Sequence, residues 1–227
     1  MVPFKGDASA MNAKLKDVVH KHHLRHHGAA LADANAVVLL IHGRGATAES
    51  ILPLGDAVGL EAIAYVAPQA EGSTWYPQSF MAPTAANEPY LSAALLRIGG
   101  IIRALIESGV AAEKLAIIGF SQGACLASET VLRNPMRYGF LGVLSGGAIG
   151  PPGTPRDYTG SLEGVRGFLG CADRDAHIPL ARVKETTAVF KAMGANVIEH
   201  IYPGTFHGVN EDEISEVRAG LSHMLTS

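Results

Sequence analysis

Apolar residues in this chain fall either in short unbroken runs or in longer stretches where they recur every three or four positions. The first run, Ala36-Val37-Val38-Leu39-Leu40-Ile41, is continuous rather than alternating. A strand of that kind is buried on both faces, which predicts a parallel sheet covered by helices. Similar runs predict strands at 62–67, 115–118, 140–145, 165–171 and 196–202. Helical spacing is clearest over 90–108, where Leu91, Leu95, Ile98, Ile102 and Leu105 share one face and Gly109 stops the helix. Gly99 and Gly100 inside that helix each cost about 1 kcal/mol relative to alanine, so close packing is expected there. Further helices are predicted at 48–58 with Thr47 as N-cap, directly after Ser121, at 180–193 and at 211–225. The connections 71–89 and 146–164 read as irregular loops. Alternation of strand and helix predicts one doubly wound, mainly parallel α/β sheet over 36–227, with 1–35 as an N-terminal His-rich arm.

Composition narrows the function classes. With 227 residues, 48% hydrophobic and 17% charged, the chain has the size and content of one folded α/β domain. A net charge of −3 offers nothing to nucleic acid or an anionic membrane. No apolar run approaches the ~18 residues of a membrane span, and the N-terminus lacks the order of a signal peptide. The expected location is the cytoplasm. Cys125 and Cys171 form no framework and read as buried free thiols. His20, His22, His23, His26 and His27 include pairs four apart, a metal-capable spacing on a helix, but no carboxylate or cysteine is interleaved. A polar surface arm without a metal is the expectation.

Chemistry enters at Gly119-Phe120-Ser121-Gln122-Gly123. A strand that reverses at once into a helix strains the turn residue and leaves no room for side chains two positions away. Ser121 is thereby presented at a helix N-terminus, where negative charge is favoured. In an open parallel sheet, functional groups gather past the C-terminal ends of the strands. The polar residues there are His42 to Gly45, Ser121, Asp173 or Asp175, and His207. A hydroxyl, a carboxylate and an imidazole in the order Ser, Asp, His suit nucleophilic catalysis. His207 is favoured as the base over His200 and His223, which fall in a strand and a helix. Asp175, on the loop before Ile178-Pro179, is favoured over Asp173 as its partner. The glycine-rich stretch His42-Gly43-Arg44-Gly45 is placed to supply one oxyanion donor, the backbone N–H of Arg44, and the backbone N–H of Gln122 the other. It lacks the third glycine and the lysine of the phosphate-binding loops. The Arg44 guanidinium suits an anionic or polar group of a substrate. His42, Gly43, Trp75, Phe80 and Met81 are candidates for a substrate wall.

His42-Gly43-Arg44-Gly45, Gly119-Phe120-Ser121-Gln122-Gly123-Ala124, Asp175 before Ile178-Pro179, and His207-Gly208 together resemble the phospholipase/carboxylesterase family of α/β-hydrolases, relatives of acyl-protein thioesterases. The resemblance runs from about residue 37 to the C-terminus. It implies the α/β-hydrolase fold without a large lid domain, and hydrolysis of small-molecule carboxylic esters or thioesters with no metal or organic cofactor. A homodimer is compatible with it. Cys171-Ala172 stands where members carry His-Gly, and Trp75-Tyr76-Pro77 where they carry Trp-Phe-Asp. These departures argue against a long acyl chain. Rival readings are a transferase or lactonase using the same residues, and a binding protein on the same fold.

Overall fold

The computed structural model describes residues 8–227. Seven strands lie in the order β1-β3-β2-β4-β5-β6-β7. They are β1 Leu24–Gly28, β2 Ala36–Ile41, β3 Ile63–Pro68, β4 Leu115–Phe120, β5 Phe140–Leu144, β6 Arg166–Ala172 and β7 Asn196–Tyr202. Strands β2 to β7 run parallel to their neighbours, and β1 pairs antiparallel with β3. The helices are α1 Ala8–Lys21, α2 Ala48–Ile51, α3 Pro53–Val58, α4 Tyr90–Glu107, α5 Gln122–Arg133, α6 Leu180–Ala192 and α7 Glu211–Thr226. None of the described helices is long and apolar enough to cross a membrane.

Successive side chains of a strand point to opposite faces, and β2 divides between two cores accordingly. Val37, Leu39 and Ile41 pack with residues of α4, α5 and α6, such as Ile98, Leu126 and Phe190. Ala36, Val38 and Leu40 pack with Val58 of α3 and with Val217, Leu221 and Met224 of α7. From β2 the chain moves outward to β3, then returns across β2 to form β4. That reversal leaves a crevice between the C-terminal ends of β2 and β4, where Ile41 lies beside Gly119.

Three expectations need correction. The stretch 48–58 is two helices: Thr47 caps α2 as foreseen, accepting from the Ser50 N–H, but Pro53 cannot continue a helix and opens α3 instead. Residues 8–28 do not form an arm outside the sheet. Leu15 and Val18 of α1 and Leu24 of β1 are buried in the core, and β1 extends the sheet. Because α1 ends at Lys21, the histidine pairs spaced four apart do not share a helix. His26 meets the Ala29 carbonyl at 2.8 Å and His27 meets Asp56 at 2.6 Å. Gly99 and Gly100 do not mark close packing either. A Cβ at 99 would meet only the Arg103 and Asn134 side chains at 3.9 Å, and one at 100 nothing within 4 Å.

Helix α7 begins with a reciprocal cap in which Asn210 accepts from the Glu213 N–H and Glu213 accepts from the Asn210 N–H. Glu213 is 1% exposed, and its second oxygen, which faces Gly170, has no partner among the described residues. Burial, opposed by the Asn210 N–H and reinforced by Asp212, pushes its carboxyl up to about 7. The folded state therefore holds this proton over a pH range in which the unfolded state has lost it. Stability falls as pH rises from the ordinary glutamate value of 4.5 through about 7. Glu213→Gln is expected to leave the melting temperature unchanged near pH 4.5 and to raise it at pH 8, by up to about 3 kcal/mol of stability. Thermal melts at the two pH values check this.

Candidate active site

Between β4 and α5 a single residue turns the chain. Ser121 has φ 54 and ψ −121, a left-handed conformation rare outside glycine. The turn is tight because its flanks lack side chains. A Cβ on Gly119 would stand 2.3 Å from the Gly123 carbonyl oxygen, and one on Gly123 would stand 2.0 Å from that of Ile41.

The Ser121 Oγ lies 2.9 Å from His207 Nε2, and His207 Nδ1 lies 2.6 Å from Asp175 Oδ2. These three residues are 86 and 32 positions apart along the chain. A carboxylate only accepts, so Nδ1 carries the proton and Nε2 is left to accept from the serine hydroxyl. The Asp175 side chain is fully buried and that of His207 is 21% exposed. Burial raises the Asp175 carboxyl. The hydrogen bond from His207 and the backbone N–H groups of His177 and Ile178 outweigh it and hold the group below its usual value. The Cys171 thiol, 3.8 Å from Asp175 Oδ2, sits behind the same carboxylate. Both cysteines are buried and unpaired, and burial pushes each thiol up to about 12.

Asp173 does not reach the imidazole. Its Oδ1 accepts from the Gly204 N–H at 2.8 Å and so holds the loop that carries His207. Phe120 and His177 flank the His207 ring, with centroids 5.1 and 4.7 Å away. Among the described residues, neither the Arg44 nor the Gln122 backbone N–H has a protein acceptor. Both residues line the cavity of about 440 Å³ into which Ser121 and His207 open.

The residues expected to form a substrate wall are divided between two cavities and the core. Gly43 and Phe80 line the cavity at Ser121, and His42, Trp75 and Met81 do not. His42 is wholly buried: its Nε2 accepts from the Ala70 N–H at 3.0 Å, so Nδ1 donates to the Gly43 carbonyl at 2.8 Å. Burial also lowers its pKa, opposed by that carbonyl, and the ring is a neutral strut. Trp75 donates from Nε1 to the His42 carbonyl at 2.8 Å and faces a second cavity of about 500 Å³, shared with Tyr90 and Arg97. Met81 packs against the core. Tyr76 and Pro77 form a partition that lines both cavities, and Gln78, Ser79 and Ile178 complete the first. Gln78 and Ser79 gave no sequence signal beyond membership of an overlong loop. The Arg44 guanidinium, expected to await an anion, donates instead to the Pro77 and Gln78 carbonyls at 2.8 and 2.7 Å.

Residues 29–225 match the family model described as Phospholipase/Carboxylesterase. The chain is 29% identical over 108 residues to acyl-protein thioesterase 1 of Debaryomyces hansenii, a match over 47% of each protein; the chain spans about half of that curated relative. A phospholipase/carboxylesterase from Dyadobacter fermentans is 36% identical with a TM-score of 0.84, over 88% of this chain and 95% of that one. Esterase PE8 shares the fold at 23% identity, with a TM-score of 0.73 over 88% of this chain and 97% of that one.

Proposed function

Since the chain belongs to the phospholipase/carboxylesterase family of hydrolases and has the α/β-hydrolase fold, we propose that it cleaves carboxylic ester or thioester bonds of small to medium acyl substrates through an acyl-enzyme on Ser121. The observation that carries the reading is the continuous hydrogen-bonded path from Asp175 through His207 to Ser121.

Each group then has a defined task. His207 Nε2 takes the hydroxyl proton as Ser121 Oγ bonds to the substrate carbonyl carbon. Asp175 keeps the imidazole in the correct tautomer and stabilises its positive charge. The carbonyl oxygen becomes an oxyanion and is received by the backbone N–H groups of Arg44 and Gln122, each worth about 3 kcal/mol of barrier. The helix dipole of α5 acts in the same direction. Collapse breaks the bond to the leaving group, which takes the proton from His207. Water, deprotonated by the same ring, then releases the acid and restores Ser121.

A fluorophosphonate probe tests this directly. One equivalent should attach to Ser121, located by peptide mapping, and abolish hydrolysis of p-nitrophenyl and thioester substrates together. Folded protein that takes no label and turns over none of these substrates would refute the proposal. Asp175→Asn should lower kcat by about 10⁴-fold with KM little changed, because an amide can donate to Nδ1 and stabilise the wrong tautomer. Steady-state kinetics on a short p-nitrophenyl ester, with circular dichroism to check folding, reads that out.

A further inference from the structure

Residues 44 and 122 both use their side chains on the same strip of backbone. Gln122 Oε1 accepts from the Trp75 N–H at 3.0 Å, and its Nε2 donates to the Tyr76 carbonyl at 2.8 Å. Arg44 grips the next two carbonyls, those of Pro77 and Gln78, with one terminal nitrogen on each. The buried Asn87 holds Gln78 and Ser79 from behind, accepting at 2.7 Å and donating at 3.0 Å. Gln122 and Asn87 are buried, whereas Arg44 is exposed and works at the cavity mouth. Tyr76 to Phe80, the strip so held, is one wall of the cavity beside Ser121.

A guanidinium is a rigid fork whose donors fix the geometry of what they hold. Here that geometry is the distance from the wall to the Arg44 backbone, one side of the space a substrate carbonyl must enter. Exposed hydrogen bonds of this kind contribute little to global stability, so their loss would loosen the rim without unfolding the domain. Gln122 and Asn87 would keep the inner wall in place.

We propose that Arg44 is a specificity-determining residue: by pinning Pro77 and Gln78 it sets the width of the cavity mouth and limits the acyl group that can be accepted. The inference rests on the serine-hydrolase reading above and adds a role for a side chain which that reading uses only through its backbone.

The test compares wild type with Arg44→Met, which keeps length and loses every donor, and with Arg44→Lys, which keeps one charged donor group. Each is assayed with p-nitrophenyl esters from acetate to decanoate. In Arg44→Met, kcat/KM for the short esters should fall about tenfold, and the decanoate-to-butyrate ratio should rise about fivefold or more; Arg44→Lys should fall between. Trp75, the only tryptophan in the chain, precedes the pinned strip and is held by Gln122 and by the His42 carbonyl, so its emission should stay unchanged in both variants and show that the inner wall is intact. An equal fall for every ester would overturn the inference. So would a rise in KM confined to an ester with an acidic acyl group, which would make the guanidinium an anion receptor. Labelling by fluorophosphonates of short and long alkyl chain separates the two levels. Wild type that takes neither label and hydrolyses no ester overturns the hydrolase reading and this inference with it. Wild type that labels, with the same chain-length ratio as Arg44→Met, overturns this inference alone.

Discussion

Ser121→Ala is expected to lower kcat on a p-nitrophenyl ester by about 10⁶-fold, and His207→Ala by a similar factor. The double variant should fall no further. The hydroxyl is 2.9 Å from Nε2, and each is useless to acyl transfer without the other, so the two losses describe one event. A residual rate above that of water should survive in the single and double variants, because the backbone N–H groups proposed to receive the oxyanion, at 44 and 122, stay in place. The single and double variants measured side by side decide the point. Losses that multiply would mean that Ser121 and His207 act separately.

Gly123→Ala should be the most damaging single methyl group in the molecule. Its Cβ would sit 2.0 Å from the Ile41 carbonyl oxygen and 2.5 Å from that of His42. Neither oxygen can yield cheaply. Both belong to the backbone where β2, whose side chains are buried throughout, leaves the sheet. Moving α5 away would displace Ser121 and open the packing of Leu126. The expected loss is at least about 3 kcal/mol, at or beyond the upper end for an overpacked core. Urea unfolding of the variant measures it. Unchanged stability would mean that helix and strand can part at this point without cost. Gly100→Ala on α4, where a Cβ meets nothing within 4 Å, is the natural control.

Parts of this fold and site differ in how openly the chain announced them. The central strands were legible because burial on both faces leaves an unbroken apolar run, as in Val37 to Ile41. The serine turn was legible because steric need is local: glycine must stand at 119 and 123 whatever the rest of the chain does. Strand β1 was hidden for the opposite reason. It lies at the side of the sheet, only Leu24 of its five residues is buried, and Arg25, His26 and His27 give it the polarity of a loop. The cavity wall from Tyr76 to Phe80 was hidden because its course depends on long-range partners. Gln122 binds residues 46 and 47 positions earlier, and Arg44 binds residues 33 and 34 positions later. Trp75 and Met81 were named for their size and place in the loop, but hydrogen bonds from outside the loop decide which of its side chains face the serine.

The donors proposed to receive the reacting oxygen, at positions 44 and 122, are main-chain groups, and only proline among the amino acids lacks one. Codon changes at these two sites can therefore redraw the contour of the cleft while the anion-stabilising hardware persists. A lineage built this way can explore new substrates through side-chain drift and keep its reaction, a division of labour that favours diversification over invention.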